Sequence, residues 1–305
     1  MNFDLSEDQR TIKSTARELL AARFPLAEVR RLAFEDERGF ADAQWQEMVE
    51  LGWPEIADIG TVEMIVVAEE LGYALAPTPL PSTWAAGLLG ADVGDGRRGA
   101  VVVDGLAVDA GAADVLVAWD GESARLLEGA AVEPVRALDP TRRLFWVSGA
   151  DGGEPLPGDG AYGWLRATAA NAAESVGVAQ RAMELAVAYA KERRQFDRPI
   201  GSYQAISHAC AQMLLEVEGA RSAVYWAAWA LDHEPETAPL ATAVAKAYAG
   251  DCGRRVPRAA LQVHGGIGFT WEHDLHLFLK RGEANAHAFG ESAWHREQIA
   301  QLGGL

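Results

Sequence analysis

Apolar residues recur at helical spacing over the first ninety or so residues. Residues 6–9 form a capping box, in which Ser6 accepts a hydrogen bond from the helix backbone and Gln9 reaches back to it. The same spacing predicts a helix over 45–51 and another over about 61–72. We expect the last of these helices to be stopped by the prolines that follow it, at Pro77, Pro79 and Pro81.

The pattern changes between about residues 99 and 160. Short apolar runs at 100–103, 115–119 and 144–147 are separated by Gly, Asp and Pro, which is typical of strands joined by tight turns. A segment of this length can form a small sheet or part of a barrel.

Helical spacing returns from about residue 162. Val178, Ala182, Leu185 and Tyr189 step by four, three and four positions, and further helices follow with short connections. The sequence therefore predicts a mainly α protein with a small β middle domain. Its predicted divisions are an N-terminal helical domain (1–97), a reduced β domain (98–161) and a C-terminal helix bundle (162–305).

Charge narrows the classes of function. The 305-residue chain has 44 acidic and 27 basic residues, a formal net charge of −17, which argues against a nucleic-acid-binding or membrane-coating protein. No run approaches the roughly 18 apolar residues of a membrane span, and the acidic start has no signal core. We expect a cytoplasmic protein with reduced core thiols at Cys210 and Cys252.

Two segments interrupt the C-terminal helices with unusual residues. In 191–201, Lys191 and three arginines gather at a helix end, where Pro199 and Gly201 are expected to force a turn. These cations either complement the helix dipole or form an anion site. The second is possible because one guanidinium group can bind two phosphate oxygens at once. In 262–269, three glycines in four positions let a backbone approach a ligand closely, but no predicted strand precedes them, which disfavours a Rossmann site.

These two segments together resemble the acyl-CoA dehydrogenase family. The matching runs are 189–196, 199–200, 203–206 and 262–275, and Leu5-Ser6-Glu7-Asp8-Gln9 and Ala68-Glu69-Glu70-Leu71-Gly72 also look like the family. The resemblance is dense over about 165–305, moderate over 1–90 and thin between. It implies FAD chemistry on an acyl-CoA thioester, in which a carboxylate removes an α-proton and the β-hydride leaves to the flavin.

The resemblance also implies which residues contact FAD. Arg193, Gln195 and Phe196 would hold the diphosphate and adenosine part across a subunit interface. The other residues that it assigns to cofactor binding are Gln204, Gln262, Gly265 and Gly266.

The chain departs from the family where the catalytic carboxylate is expected. One family position falls on Ala167, followed by Thr168, and the other falls on Phe289, before Gly290. Glu291 comes one position late, which turns a helical side chain by about 100°, so we expect it to cap or solvate the last helix. Glu174 is expected to be structural. The middle segment also lacks a recognisable counterpart of the family's strand against the flavin ring.

Three hypotheses follow. The chain is a subunit that completes the FAD site of a longer family member, which supplies the base, as in actinobacterial heterotetramers with two of each subunit that act on steroid side-chain CoA thioesters. Alternatively, it is a self-sufficient homomer that uses Glu291, or a scaffold without flavin. The family implies an electron-transferring flavoprotein as acceptor. Several histidines cluster late in the chain, but no cysteine or carboxylate at a suitable spacing completes a metal site with them. These histidines are His264, His273, His276, His287 and His295.

Overall fold

The computed structural model describes residues 4–149 and 153–304. The helices of this part of the chain are α1 (Glu7–Arg23), α2 (Leu26–Phe34), α3 (Asp42–Glu50), α4 (Thr61–Ala74), α5 (Leu80–Leu88), α6 (Gly160–Glu192), α7 (Gln204–His233), α8 (Ala238–His264), α9 (Leu275–His287) and α10 (Ser292–Leu302). Its strands are β1 (Gly99–Val102), β2 (Leu106–Val108), β3 (Val115–Trp119), β4 (Ala124–Leu127), β5 (Ala131–Val135), β6 (Leu144–Ser148), β7 (Arg194–Gln195) and β8 (Arg198–Pro199). The predicted fold class, mainly α with a small β middle segment, is confirmed.

The N-terminal segment contains the predicted capping box and two helices, α2 and α5, that begin next to prolines and were not predicted. The capping box is present, with Gln9 N donating to Ser6 Oγ at 3.1 Å and Ser6 N donating to Gln9 Oε1 at 2.9 Å. The nine-residue helix α5 was not predicted, because Pro81 was expected to stop a helix. Pro81 instead lies in the first turn of α5, where a missing N–H leaves no hydrogen bond unmade. Helix α2, which follows Pro25, was also missed.

The middle segment holds two three-stranded sheets. The first has the order β1-β3-β4, and the second has the order β2-β6-β5. Strands β1 and β3 are parallel, with Gly99 opposite Val115, and the other pairs in these two sheets are antiparallel. The three predicted strands correspond to β1, β3 and β6. The remaining strands were missed because β2, β4, β7 and β8 are only two to four residues long and β5 contains a glutamate and a proline, so none shows a clear apolar run or alternation.

The N-terminal helices and the C-terminal bundle share one hydrophobic cluster. The backbones of α4 and α6 come so close that a Cβ on Gly72 would lie 2.0 Å from the carbonyl oxygen of Glu174. A Cβ on Gly177 would likewise lie 1.8 Å from the carbonyl oxygen of Glu69. Glycine is required at both positions by this close approach. The division into three domains at residues 97 and 161 stays a prediction.

Both cysteines are free. Cys252 is buried in the core as expected, but Cys210 is half-buried and lines a groove of about 630 Å³ between α6 and α7, beside Met183 and Leu214. None of the helices described in residues 4–149 and 153–304 has the length and apolar character needed to span a bilayer.

Candidate FAD-binding and catalytic positions

A short hairpin leaves the bundle between α6 and α7; we call residues 193–203 the hairpin arm. Strands β7 and β8 pair through Arg194 opposite Pro199 and Gln195 opposite Arg198. The turn lies at Phe196 and Asp197, whose φ angles are 51° and 63°. Two positive φ values at the centre of a two-residue loop are the geometry of a type I′ turn. The turn predicted at Pro199 and Gly201 is present as a 3₁₀ turn over Ile200–Ser202, whereas the hairpin turn at Phe196 and Asp197 was not predicted.

The hairpin arm is held by contacts within itself. Arg194 Nη2 donates to the carbonyl oxygen of Asp197 at 2.5 Å, and Tyr203 Oη donates to that of Gln195 at 3.1 Å. The guanidinium of Arg198 lies 4.0 Å from the centre of the Tyr203 ring. These contacts hold the two strands and the turn of the arm together.

The side chains that the arm presents are exposed. Phe196 is 89% exposed, which is exceptional for so large an apolar side chain. Among the residues that the structure describes, no carboxylate pairs with Arg193, Arg194 or Arg198. Gln204, the first residue of α7, is exposed beside them. The arm therefore offers cations and a phenyl ring to something outside this chain.

The second segment, residues 262–269, is called the glycine loop. Helix α8 ends at His264, and Gly265 leaves it with φ 63° and ψ −141°, a conformation that side chains disfavour. Gly266 has no such constraint, and a Cβ built on it would meet nothing within 4 Å. The intrachain structure therefore gives no reason for glycine at 266. Gln262 is exposed on the last turn of α8.

The two segments meet at one end of the bundle. The ring of Tyr189, in the last turn of α6, stacks on that of His264 with 4.5 Å between centroids. His264 is held in turn by a 2.8 Å hydrogen bond between its Nδ1 and the carbonyl oxygen of Ala260. Burial lowers the pKa of His264, so the stacked imidazole is neutral at pH 7. Tyr189 was part of the motif in the sequence, but no sequence signal assigned it this contact.

Of the two family positions for a carboxylate, Ala167 is buried and Phe289 is half-buried. Ala167 and Thr168 are buried in α6, and the Thr168 hydroxyl donates to the carbonyl oxygen of Trp164 at 2.7 Å. The Phe289 ring lies 4.5 Å from that of Trp164, which stacks on Trp119 at 5.5 Å. An aromatic row from β3 through α6 to the α9–α10 turn therefore occupies this region. Trp119 and Trp164 were not singled out from the sequence.

Glu291 lies at the N-cap position of α10, with its side chain 63% exposed. Its carboxylate makes no capping hydrogen bond and is exposed, so of the two roles expected from the sequence, capping or solvating the last helix, the structure shows solvation. Oε1 instead lies 2.8 Å from Nδ1 of His287. The carboxylate faces solvent and a histidine on the surface.

Glu174 is buried within an ion network that the sequence did not reveal. Its Oε1 accepts from Arg142 at 2.7 Å and from Arg281 at 2.6 Å. Arg281 is completely buried and also binds Asp139 at 2.5 Å. Burial opposes ionisation of Glu174, but the two guanidinium groups outweigh it and keep its pKa below the ordinary value. The network joins the β5–β6 connection to α6 and α9.

The late histidines do not form a metal centre with other ligands among the described residues. Within residues 4–149 and 153–304, no three His, Cys, Asp or Glu side chains are placed to hold a metal ion. His264 and His273 contact each other through their rings, with centroids 4.5 Å apart.

Comparison with known proteins places this geometry in a family. A family model described as acyl-CoA dehydrogenase, C-terminal domain, matches residues 165–303. Acyl-CoA dehydrogenase IpdE2 of Mycolicibacterium smegmatis is 33% identical over 98% of both chains. Acyl-CoA dehydrogenase FadE34 of Mycobacterium tuberculosis is 33% identical over 97% of this chain but only 47% of its own length.

Solved structures have the same fold. A structure titled "Tcur3481-Tcur3483 steroid ACAD G363A variant" superposes with a TM-score of 0.85 at 22% identity, covering 98% of both chains. A chain of the ChsE4-ChsE5 complex from Mycobacterium tuberculosis gives 0.83 at 22% identity, covering 100% of this chain and 99% of that one. The chain belongs to the acyl-CoA dehydrogenase family. Members of this family are FAD-dependent flavoproteins.

Proposed function

We propose that the chain is a subunit of a heteromeric FAD-dependent acyl-CoA dehydrogenase. In this proposal it completes the FAD site of a longer family member, and that partner supplies the catalytic base. The reaction is the α,β-dehydrogenation of an acyl-CoA, in which the bound flavin accepts the β-hydride.

The observation that carries the proposal is a contrast between two regions. Where the family's carboxylate is expected, the chain has the methyl group of Ala167 and the ring of Phe289, packed on Trp164. The hairpin arm and the glycine loop, in contrast, retain the family's cofactor-contact residues and expose them. A chain with cofactor contacts but no base at either position suits a shared site.

The exposed groups fit the diphosphate and adenosine part of FAD. The arginines of the hairpin arm have no carboxylate partner among the described residues, and guanidinium groups bind phosphate oxygens in pairs. The open space above Gly266 lets a ligand approach the backbone closely. Residues that would hold the cofactor are Arg193, Gln195, Phe196, Gln204, Gln262, Gly265 and Gly266.

The comparisons support a partner of the same family. FadE34 is about twice as long as the region that this chain matches, and we propose that its remaining part corresponds to the missing subunit. The titles of two structural neighbours each name a pair of proteins, ChsE4-ChsE5 and Tcur3481-Tcur3483. The Tcur3481-Tcur3483 structure is titled a steroid ACAD, which supports a steroid side-chain CoA thioester as the substrate here.

The proposed assembly contains two copies of each subunit, as in the heterotetramers that the sequence resembles. An electron-transferring flavoprotein is the proposed acceptor, and the cytoplasm is the proposed location. The partner carries the base and the wall against the flavin ring.

Two alternatives to this proposal fit the structure less well. A homomeric enzyme would need Glu291 as its base, but this carboxylate faces solvent and His287. A scaffold without flavin gives no reason for three exposed arginines that have no carboxylate partner among the described residues.

The test is the flavin content of the purified protein. Expressed alone, the chain should be colourless or weakly yellow. Co-expressed with a longer family member encoded near its gene, it should purify with about one FAD per pair. A bright yellow, fully active homomer would overturn the proposal.

A further inference from the structure

A cavity of about 330 Å³ lies between α2 and α9, and we call it the α2–α9 cavity. Its walls come from the end of α2, the connection between β5 and β6, the segment after the glycine loop, and α9. Four of its lining side chains are cationic and none is acidic, in a protein of net charge −17. The cations are Arg136, Arg142, Arg143 and Lys280.

Two of these cations are fixed by bonds within the protein. Arg142 donates to Glu174 at 2.7 Å and lies 3.6 Å from Asp109. Arg143 has no carboxylate partner among the described residues and donates only to backbone carbonyl oxygens, of Leu32, Ala33, Asp36, Glu37 and Pro140. Five carbonyl dipoles orient this guanidinium without cancelling its charge, so the wall of the cavity keeps a fixed positive potential.

The other two cations are available to a ligand. Arg136 is exposed, and no hydrogen bond or ion pair to its side chain occurs in residues 4–149 and 153–304. Lys280 Nζ lies 4.5 Å from the centre of the Trp271 ring, and burial lowers the pKa of this ammonium group. Asp139 raises the pKa of Lys280 through its charge, but it is paired with Arg281 at 2.5 Å, and no ion pair joins it to Lys280 among the described residues.

Aromatic side chains stand beside these cations. Trp271 is 66% exposed and Phe34 is 46% exposed, with ring centroids 6.2 Å apart at an angle of 77°. Arg30 fixes the backbone here by donating to the carbonyl oxygen of Trp271 at 3.0 Å. The Trp271 ring also contacts His276, with centroids 4.8 Å apart, and its remaining exposed surface can stack on a planar ring while nearby cations bind an attached anion.

We propose that the α2–α9 cavity binds an adenosine phosphate, with its phosphate at Arg136 and Lys280 and its adenine on Trp271. The cations favour an anionic ligand, and the aromatic side chains favour a ligand with a planar ring. The choice of adenosine rests on the proposed function, because acyl-CoA ends in this chemistry, whereas the adenosine end of FAD is already assigned to the hairpin arm and the glycine loop. The cavity and its four cations do not depend on that function.

The test is calorimetric titration of the chain purified alone, at low salt, with 5′-ADP, adenosine 3′,5′-bisphosphate, adenosine and inorganic pyrophosphate. We expect a nucleotide to bind with a Kd below about 1 mM, and both adenosine and pyrophosphate to bind at least about tenfold more weakly. Tighter binding of the 3′,5′-bisphosphate supports the CoA end as the source of the ligand. Tighter binding of 5′-ADP would contradict the CoA end and point instead to the hairpin arm and the glycine loop, where the proposed function places the FAD diphosphate.

Variants assign the binding to the cavity. Arg136→Glu with Lys280→Glu should weaken nucleotide binding at least about tenfold. Arg10→Glu with Arg125→Glu is the control, since it changes net charge equally at exposed arginines outside the cavity. Trp271→Leu should weaken nucleotide binding but not pyrophosphate binding. Arg136→Glu alone, at an exposed position, provides the measurement if the double variant does not fold.

Three results would overturn the proposal. The first is that no nucleotide binds the wild type with a Kd below about 1 mM. The second is that the cavity variant and the control variant have equal nucleotide affinity, and the third is that pyrophosphate binds as tightly as the nucleotides. Loss of partner assembly in the cavity variant, without nucleotide binding in the wild type, would identify a protein interface instead. Because these titrations contain neither flavin nor partner, they distinguish this failure from failure of the proposed function.

Discussion

Tyr189 and His264 stack with their ring planes 23° apart, and this contact joins the end of α6 to the end of α8. The hairpin arm begins one turn after Tyr189, and the glycine loop continues directly from His264. The contact therefore sets the relative position of the two segments that the proposed function assigns to one cofactor.

Replacing Tyr189 with Ala should disturb both segments together. We expect the free energy of unfolding to fall by about 1 to 3 kcal/mol, because the ring contact is lost. FAD retention by the assembled pair should fall as well. Tyr189→Phe, which keeps the stacked ring, is the control and should retain FAD. Thermal unfolding and the flavin absorbance of the pair measure the two effects, and equal FAD retention in both variants would contradict this role of the stack.

Arg281 should be a major contributor to stability, because it is completely buried between Asp139 and Glu174. Arg281→Met leaves Asp139 without its cation and should lower the free energy of unfolding by about 3 to 5 kcal/mol. Arg258→Ala removes an exposed partner of Glu283 and should cost less than about 1 kcal/mol. Urea unfolding compares the two, and similar midpoints would show that the buried network contributes little.

The fold could be largely predicted from the sequence, but with errors that have clear physical causes. The periodicity of Val178, Ala182 and Leu185 predicted α6, because a long buried helix repeats its pattern many times. The turn at Phe196 and Asp197 could not be predicted, because neither residue type favours the left-handed region as glycine does.

The site was predicted as two motifs, without the contacts that join them. Stacking of Tyr189 on His264 depends on how α6 and α8 pack, and spacing along the chain does not specify it. The burial of Arg281 could not be predicted either, because arginine is usually found on solvated faces. Only the packing of α6, α9 and the β5–β6 connection buries it.

The stability of the protein should depend on pH through Lys246. This lysine is buried against the last turn of α9, where Nζ donates to the carbonyl oxygen of Asn285 at 2.6 Å, and burial lowers its pKa from 10.5 to about 7. Between these values the unfolded chain binds more protons than the folded chain, so stability should rise with pH. From pH 7 to 9 the wild type should gain about 2 kcal/mol relative to Lys246→Met. Urea unfolding at both pH values measures this gain, and parallel pH profiles would contradict it.

Glu291 separates the proposed function from the homomeric alternative. Because its carboxylate is exposed beside His287, Glu291→Gln should leave kcat/KM of the assembled pair within about twofold of the wild type. A general base lost from a dehydrogenase costs about a hundredfold or more. A loss of that size, measured by reduction of an artificial acceptor with acyl-CoA, would support Glu291 as the base.

The central claim is that this chain completes the FAD site of its partner, and Arg193 tests it most directly. Arg193→Ala should lower the FAD content of the purified pair well below one per pair and weaken FAD rebinding about tenfold or more, since a charge-assisted contact to phosphate is lost. Arg10→Ala, at an exposed arginine outside the hairpin arm, is the matched control. The account predicts a depleted flavin spectrum for Arg193→Ala with the pair still assembled. An unchanged spectrum and unchanged FAD affinity would contradict it.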